Sequence, residues 1–269
     1  MNLSEFLRHK MPVMAAAALL CGIYVQVFAQ APAGAAPATP PPTPKAAGPI
    51  DLTGYWVSVI TEDWRFRMVT PARGDYASIP ITPEALKIAD QWNPAKDTAA
   101  GEQCKSYGAP ALMRLPTRLH ITWQDDNTLK VETDAGQQTR LLHFGEWKAP
   151  GGPATWQGDS VASWETPRPR GGRARAGTPP APAKTGDLKV FTTHLRAGYL
   201  RKNGVPYSAN AELTEYWDIN THHDGSKWIV VTSNVHDPMY LQEDWITALH
   251  FRKEPDGSKW DTTPCSATW

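Results

Sequence analysis

Five histidines, His120, His143, His194, His236 and His250, fall on or beside segments that read as strands, whereas His222 and His223 occupy a turn. A strand histidine is ordinarily half-buried and hydrogen-bonded. Beside a carboxylate, the same ring moves a proton near neutral pH. Convergence of these rings with Glu62 or Asp237 would create such a pair. His120, His194 and Glu62 are therefore the candidate proton carriers, with Arg65 or Arg196 to hold an anionic substrate. No His-x-His or His-x-x-x-His spacing asks for a metal, so no metal and no cofactor are expected. A nucleophile elbow, a phosphate loop and a dinucleotide fingerprint are also absent, which argues against nucleotide chemistry.

Residues 51–68, "DLTGYWVSVITEDWRFRM", interleave charge with large rings. Read as one extended strand, they put Glu62, Trp64 and Phe66 on one face and Asp63, Arg65 and Arg67 on the other. The first face makes a ligand wall if it points into a barrel. The alternative is an outer surface of cross-strand ion pairs with the rings as core.

These residues need a scaffold, and most of the chain after residue 50 supplies strands. Residues 118–123, 129–133 and 139–144 form an antiparallel meander, with turns at Asp125-Asp126-Asn127 and Ala135-Gly136. Further strands are expected at 160–164, 188–195, 211–218, 228–235 and 245–252. One helix is expected near residues 82–92, with Thr82 as N-cap, Pro83 in the first turn, and Leu86, Ala89 and Trp92 as its apolar face. Asp237 before Pro238 makes a defined strand exit, or a rim group beside Tyr240. The fold class is mainly β, an antiparallel barrel or a strongly curved sandwich.

Arg8 and Lys10 precede the apolar residues 11–29, and small residues follow, as in a cleavable secretory signal. Val27-Phe28-Ala29 and Ala29-Gln30-Ala31 are alternative cleavage contexts. An uncleaved anchor is the rival reading, and the only membrane attachment foreseen. Leu20 before Cys21 argues against a lipoprotein. Residues 30–49 form a Pro/Ala-rich linker, expected to be disordered. Residues 50–269 then form one domain, interrupted by an Arg/Pro-rich loop at 166–186. That loop is either a disordered insertion or a basic arm for an acidic partner. The protein is expected in the periplasm or outside the cell. There Cys104 and Cys265 are expected to form a disulfide, two free thiols being the alternative. Lys plus Arg equal Asp plus Glu at 27 each, so no overall field favours nucleic acid. The oligomeric state is left open.

Three tracts carry a resemblance. "GEQCKSYGAPALMRLP", "WQGDSVASWE" continuing as "GDLKVFTTHL", and "YLRKNGVPYSANAELTEYWD" followed by "VHDPMYLQEDWI" resemble a family of secreted, β-rich bacterial proteins of unassigned activity. Its pattern includes Cys-x-x-x-Gly-x-Pro and Trp-Glu-Gly-Asp, the second split here between Glu165 and Gly186. Gly54-x-Trp56 also resembles the first strand of lipocalins, which implies a barrel closed by Trp56 against a late-strand arginine, here Arg252.

The leading expectation is a barrel that binds a small apolar or aromatic molecule. Its cavity would be lined by Trp56, Trp64, Phe66, Trp123 and Tyr216, with Arg65, His143, Arg196, Asp237 and Tyr240 as further contacts. The alternative is a cofactor-free acid–base enzyme on the same barrel: an isomerase, dehydratase or hydrolase. A third reading is an envelope interaction module that uses the 166–186 arm.

Overall fold

The computed structural model describes residues 40–165 and 186–268. The expected signal, most of the linker and nearly all of the Arg/Pro-rich loop lie outside them. Among the described residues there are eleven strands: β1 (Gly54–Val59), β2 (Arg118–Asp125), β3 (Thr128–Thr133), β4 (Thr139–Phe144), β5 (Asp159–Glu165), β6 (Asp187–Thr193), β7 (Gly198–Arg201), β8 (Val205–Tyr207), β9 (Glu212–Thr221), β10 (Lys227–His236) and β11 (Trp245–Lys253). Nine of them close a barrel in the order β1-β11-β10-β9-β6-β5-β4-β3-β2, and β7 and β8 form a separate hairpin. Closure pairs both edges of the sheet. The chain is mainly β, and the expected meander is β2–β4.

One pairing departs from the antiparallel expectation. β4 and β5 run parallel, with Leu142 opposite Ser160 and Phe144 opposite Ala162. A parallel neighbour cannot be reached by a tight turn, because the chain must first travel back along the barrel. Residues 145–158 make that return.

Period-two alternation fills the interior. Trp56, Leu119, Ile121, Leu129, Val131, Leu142, Leu188, Val190, Trp217, Ile229, Val231, Leu249 and Phe251 are all essentially inaccessible and form one cluster. At about 1.5–3 kcal/mol for each large apolar side chain removed from water, this cluster is the main source of stability. The indole of Trp56 donates to Leu52 O at 2.9 Å. Its cationic neighbour is Lys253, with Nζ 5.0 Å from the ring centroid, rather than Arg252. Lys253 sits opposite Trp56 in register, whereas Arg252 sits opposite Val57, and alternation turns its side chain outward.

The helices are short: α1 (Pro44–Ala47), α2 (Trp64–Arg67), α3 (Pro83–Asp90), α4 (Pro94–Ala99) and α5 (Ala109–Leu112), with a 3₁₀ turn at Gln103–Tyr107. The expected helix is α3, capped by Thr82 Oγ1 accepting from Ala85 N at 3.2 Å. Its buried residues are Ala85 and Ala89, while Leu86 is exposed. Residues 51–68 are not one strand. β1 stops at Val59, Asp63 takes a left-handed φ of 50°, and α2 follows.

Both barrel ends are closed. At the end where β4 and β5 finish, Trp123, Phe144 and Trp164 pack together. Trp164 Nε1 donates to Pro44 O at 2.8 Å, and Lys45 N donates to Asp126 O at 3.2 Å. Residues 44–49 thus lie against the barrel, whereas their composition predicts free linker; the single helical turn of α1 docks on the neighbouring aromatic surface.

The opposite end, where β4 begins and β6 finishes, carries the cap built from α2–α5, the β7–β8 hairpin and the segment between β10 and β11. Tyr76, Ile79, Leu200, Val205, Trp245 and Leu241 belong to its apolar cluster. Cys104 and Cys265 are joined by a disulfide, with Cα atoms 5.1 Å apart, tying the 3₁₀ turn to the C-terminal segment.

Candidate functional site

The return segment 145–158 lies over the outer face of the barrel and leaves a cleft of about 420 Å³. β4 contributes its outward residues Thr139, Leu141 and His143, and the return segment contributes Trp147, Thr155 and Gln157. Asp159, the first residue of β5, closes one side.

Two left-handed backbone positions shape this corner. Gly158 has a φ of +60°, and a Cβ there would lie 2.4 Å from Thr193 O. Only glycine lets residues 155–158 cross so close to the end of β6. Facing it, His194 adopts a φ of 56°, a conformation that strains a side chain bearing a Cβ. Backbone pairing brackets it: Thr193 pairs with Asp159 before it, and after it Leu195 bridges Thr155 and Arg196 N donates to Thr155 O at 2.7 Å.

His194 Nδ1 lies 2.8 Å from Asp159 Oδ2, a hydrogen-bonded His–carboxylate pair. Held through Nδ1, the imidazole keeps Nε2 for other work. His143 stacks on Trp147 with ring centroids 4.1 Å apart and planes within 6° of parallel. Burial pushes the pKa of His143 down, opposed by the negative charges of Asp125 and Asp159. The cleft therefore joins an aromatic stack to the His194–Asp159 corner. Gln157 Nε2 donates to Tyr107 O and to Gln138 Oε1, each at 2.8 Å, and anchors the floor to the cap.

The other expected residues are dispersed. His120 stacks on Tyr55 at 4.2 Å on the outside of β2 and pairs with Glu132 at 3.3 Å. Three strands separate β2 from β6 by the shorter way round, so His120 and His194 do not meet. Glu62 pairs with Arg67 and lies 3.6 Å from His250, too long for a hydrogen bond. Beside His250 is a second outer cleft, of about 480 Å³, with His222 and Trp228.

Nor do the five rings expected around one cavity come together. Trp56 is in the barrel core, Trp64 is 64 % exposed, and Phe66 is buried in the cap. Trp123 belongs to the aromatic end, and Tyr216 lies on the outer face of β9 with Lys189 Nζ 5.5 Å from its ring centroid. The reason is the packed interior: among the described residues, the inward side chains of the barrel are buried in one apolar cluster.

Arg65 pairs with Asp75 at 2.7 Å, and Arg196 pairs with Glu102 while its guanidinium lies 4.4 Å over Trp156. Asp237 is buried and structural. It accepts from Ser208 N and Oγ and from the backbone N–H groups of Met239 and Tyr240, forming the turn after β10.

Sequence reasoning missed Asp159 and Trp147. Asp159 precedes an alternating run, and a histidine following a strand is a weak sign of a partner across it. Trp147, among Gly, Pro and Lys, is an aromatic in a loop, which is the more readable signal.

Among the described residues, no group of three or more His, Cys, Asp or Glu is placed to hold a metal ion, and no helix is long and apolar enough to cross a membrane. Compared with known protein families, curated proteins and solved structures, the chain finds no match.

Proposed function

We propose that this is a periplasmic or secreted β-barrel protein, allied to the secreted β-rich bacterial family it resembles, that binds a small aromatic molecule in the outer cleft between β4 and residues 145–158. The observation that carries this reading is the His143–Trp147 stack beside Asp159. A cleft of about 420 Å³ lies in the range of small-molecule sites. A flat ring extends the stack, and a hydroxyl or amino substituent finds the carboxylate of Asp159. The basic, then apolar N-terminus and the Cys104–Cys265 disulfide support an oxidising compartment.

A second reading, an acid–base enzyme at the same cleft, is favoured by one observation: His194 is held at a strained φ of 56° against Asp159. Such strain persists only where the surroundings over-determine it, and it gathers at functional sites.

The test is calorimetric titration of mature protein with phenol, benzoate and benzylamine, alongside mass spectrometry of small molecules released on denaturation. Binding of phenol or benzylamine, weakened about tenfold or more in Trp147→Ala, supports the cleft, because a lost aromatic contact is worth about 1.4 kcal/mol. Equal binding by wild type and Trp147→Ala refutes it. If His194→Ala binds a released molecule that only wild type converts, the enzyme reading replaces that of a carrier.

A further inference from the structure

Four cationic side chains are buried around one small space in the cap. Arg67, Arg114, Arg201 and Lys202, with Phe66 and Ser106, line a cavity of about 20 Å³. None of the four is more than 6 % exposed. Arg67 bonds Glu62, and Arg114 Nη2 donates to Asp63 Oδ2 at 3.0 Å. Lys202 Nζ donates to Tyr107 Oη at 2.8 Å and to Ser266 O at 2.9 Å.

Arg201 differs. Its guanidinium reaches backbone carbonyls, Ala77 O at 2.9 Å and Asp75 O at 3.4 Å, and lies 4.0 Å over the ring of Phe66. Among the described residues, no carboxylate lies within ion-pair distance of it. The nearby acids are engaged elsewhere: Asp75 by Arg65, Glu62 by Arg67 and Asp63 by Arg114. Arg201 Nε and Arg67 Nη2 are both buried without an acceptor among the described residues.

Cations this deeply buried normally carry a counter-ion, since an uncompensated buried charge is among the most unfavourable arrangements a fold can hold. Burial first, and the charge of Arg114 second, push Arg67 and Arg201 each down to about 10. Burial alone pushes Lys202 down to about 8. Asp63 and Asp75 act on Arg201 from beyond ion-pair distance and offset the cost of its burial only in part. The cavity has the volume of about one water-sized sphere, too small for a phosphate or a free carboxylic acid.

We propose that this cavity binds one monovalent inorganic anion of chloride size, which serves as the counter-ion of Arg201 and completes the cap. The site is distinct from the outer cleft and stands independently of any ligand there.

The test is thermal unfolding of the full mature chain at fixed ionic strength while gluconate is exchanged for chloride. Wild type gains stability saturably, by about 3–5 °C once chloride is tenfold above its dissociation constant, and Arg201→Met shows no chloride-specific gain. Should that variant fail to fold, crystals of wild type grown in bromide answer the same question, with an anomalous peak within hydrogen-bonding distance of the Arg67 or Arg201 guanidinium. Melting that follows ionic strength equally in both salts overturns the proposal. So does a cavity that holds water and no bromide.

Discussion

The two ends of the barrel are closed by opposite means. At one, Trp123, Phe144 and Trp164 meet and residues 44–49 lie over them, so closure rests on ring packing and two hydrogen bonds. At the other, charge is taken into the interior. Arg140 Nη1 and Nη2 donate to the two carboxylate oxygens of Glu215 at 3.0 and 2.7 Å, while Nη2 also reaches Thr192 Oγ1, itself bonded to Ser160. Above them the cap buries Arg67, Arg114 and Arg201. Dispersion tolerates approximate fit, whereas buried ions need specific partners at specific distances. The apolar end is thus a plug, and the polar end is where geometry is defined closely enough to hold a hydrogen-bonded pair such as Asp159–His194.

The contrast is most exposed to attack at Glu215. Glu215→Ala leaves Arg140 buried without its counter-charge and is expected to cost about 3–5 kcal/mol in urea unfolding. The double change Arg140→Met with Glu215→Leu should recover most of that loss, because the expense is the orphaned ion rather than the missing bond. If Glu215→Ala is nearly neutral, the polar end is no more demanding than the aromatic one.

At that aromatic end, Trp164→Ala is expected to cost about 2 kcal/mol, below the 3–5 of a fully buried ring because Trp164 keeps some exposure. Amide exchange in residues 44–49 should rise with it, since Pro44 O loses its donor.

Gly158→Ala is expected to cost about 1–2 kcal/mol through its left-handed φ and to weaken ligand binding, as the return segment moves off Thr193. Unchanged affinity would separate the cleft from this crossing.

The smallest effect is in titration. Burial lowers the pKa of His143, so the unfolded chain takes the proton more readily; this contribution to stability is full at neutral pH and falls as pH drops below about 6.5. The hydrogen bond to Asp244 raises His236, whose contribution is full below about 6.5 and is lost as pH rises through its folded value. Imidazole NMR titrations should place the two midpoints on opposite sides of the ordinary value.

Much of the barrel was legible because alternation survives burial on one face: Leu119, Ile121 and Trp123 against His120 and Thr122 is such a run. Arg140 in phase with Leu142 and Phe144, and Glu215 in phase with Leu213 and Trp217, were readable as inward charges. Their pairing was not, since it joins residues 75 apart in sequence. The parallel β4–β5 pair was hidden for a related reason: nothing within residues 145–158 distinguishes a return over the barrel from an ordinary loop. The cleft exists because of that return, so its residues could not be grouped beforehand. In residues 60–67 the error was one of period, since charges and rings that alternate as a strand also suit the single helical turn of α2.

The central claim is that ligand binds outside a filled barrel. The most direct measurement is photolabelling of mature protein with 4-azidophenol, with labelled peptides mapped by mass spectrometry. Saturable labels within residues 139–160, suppressed by excess phenol, are the predicted result. Saturable labels on inward residues such as Trp56, Val190 or Trp217, with residues 139–160 unmarked, would contradict it.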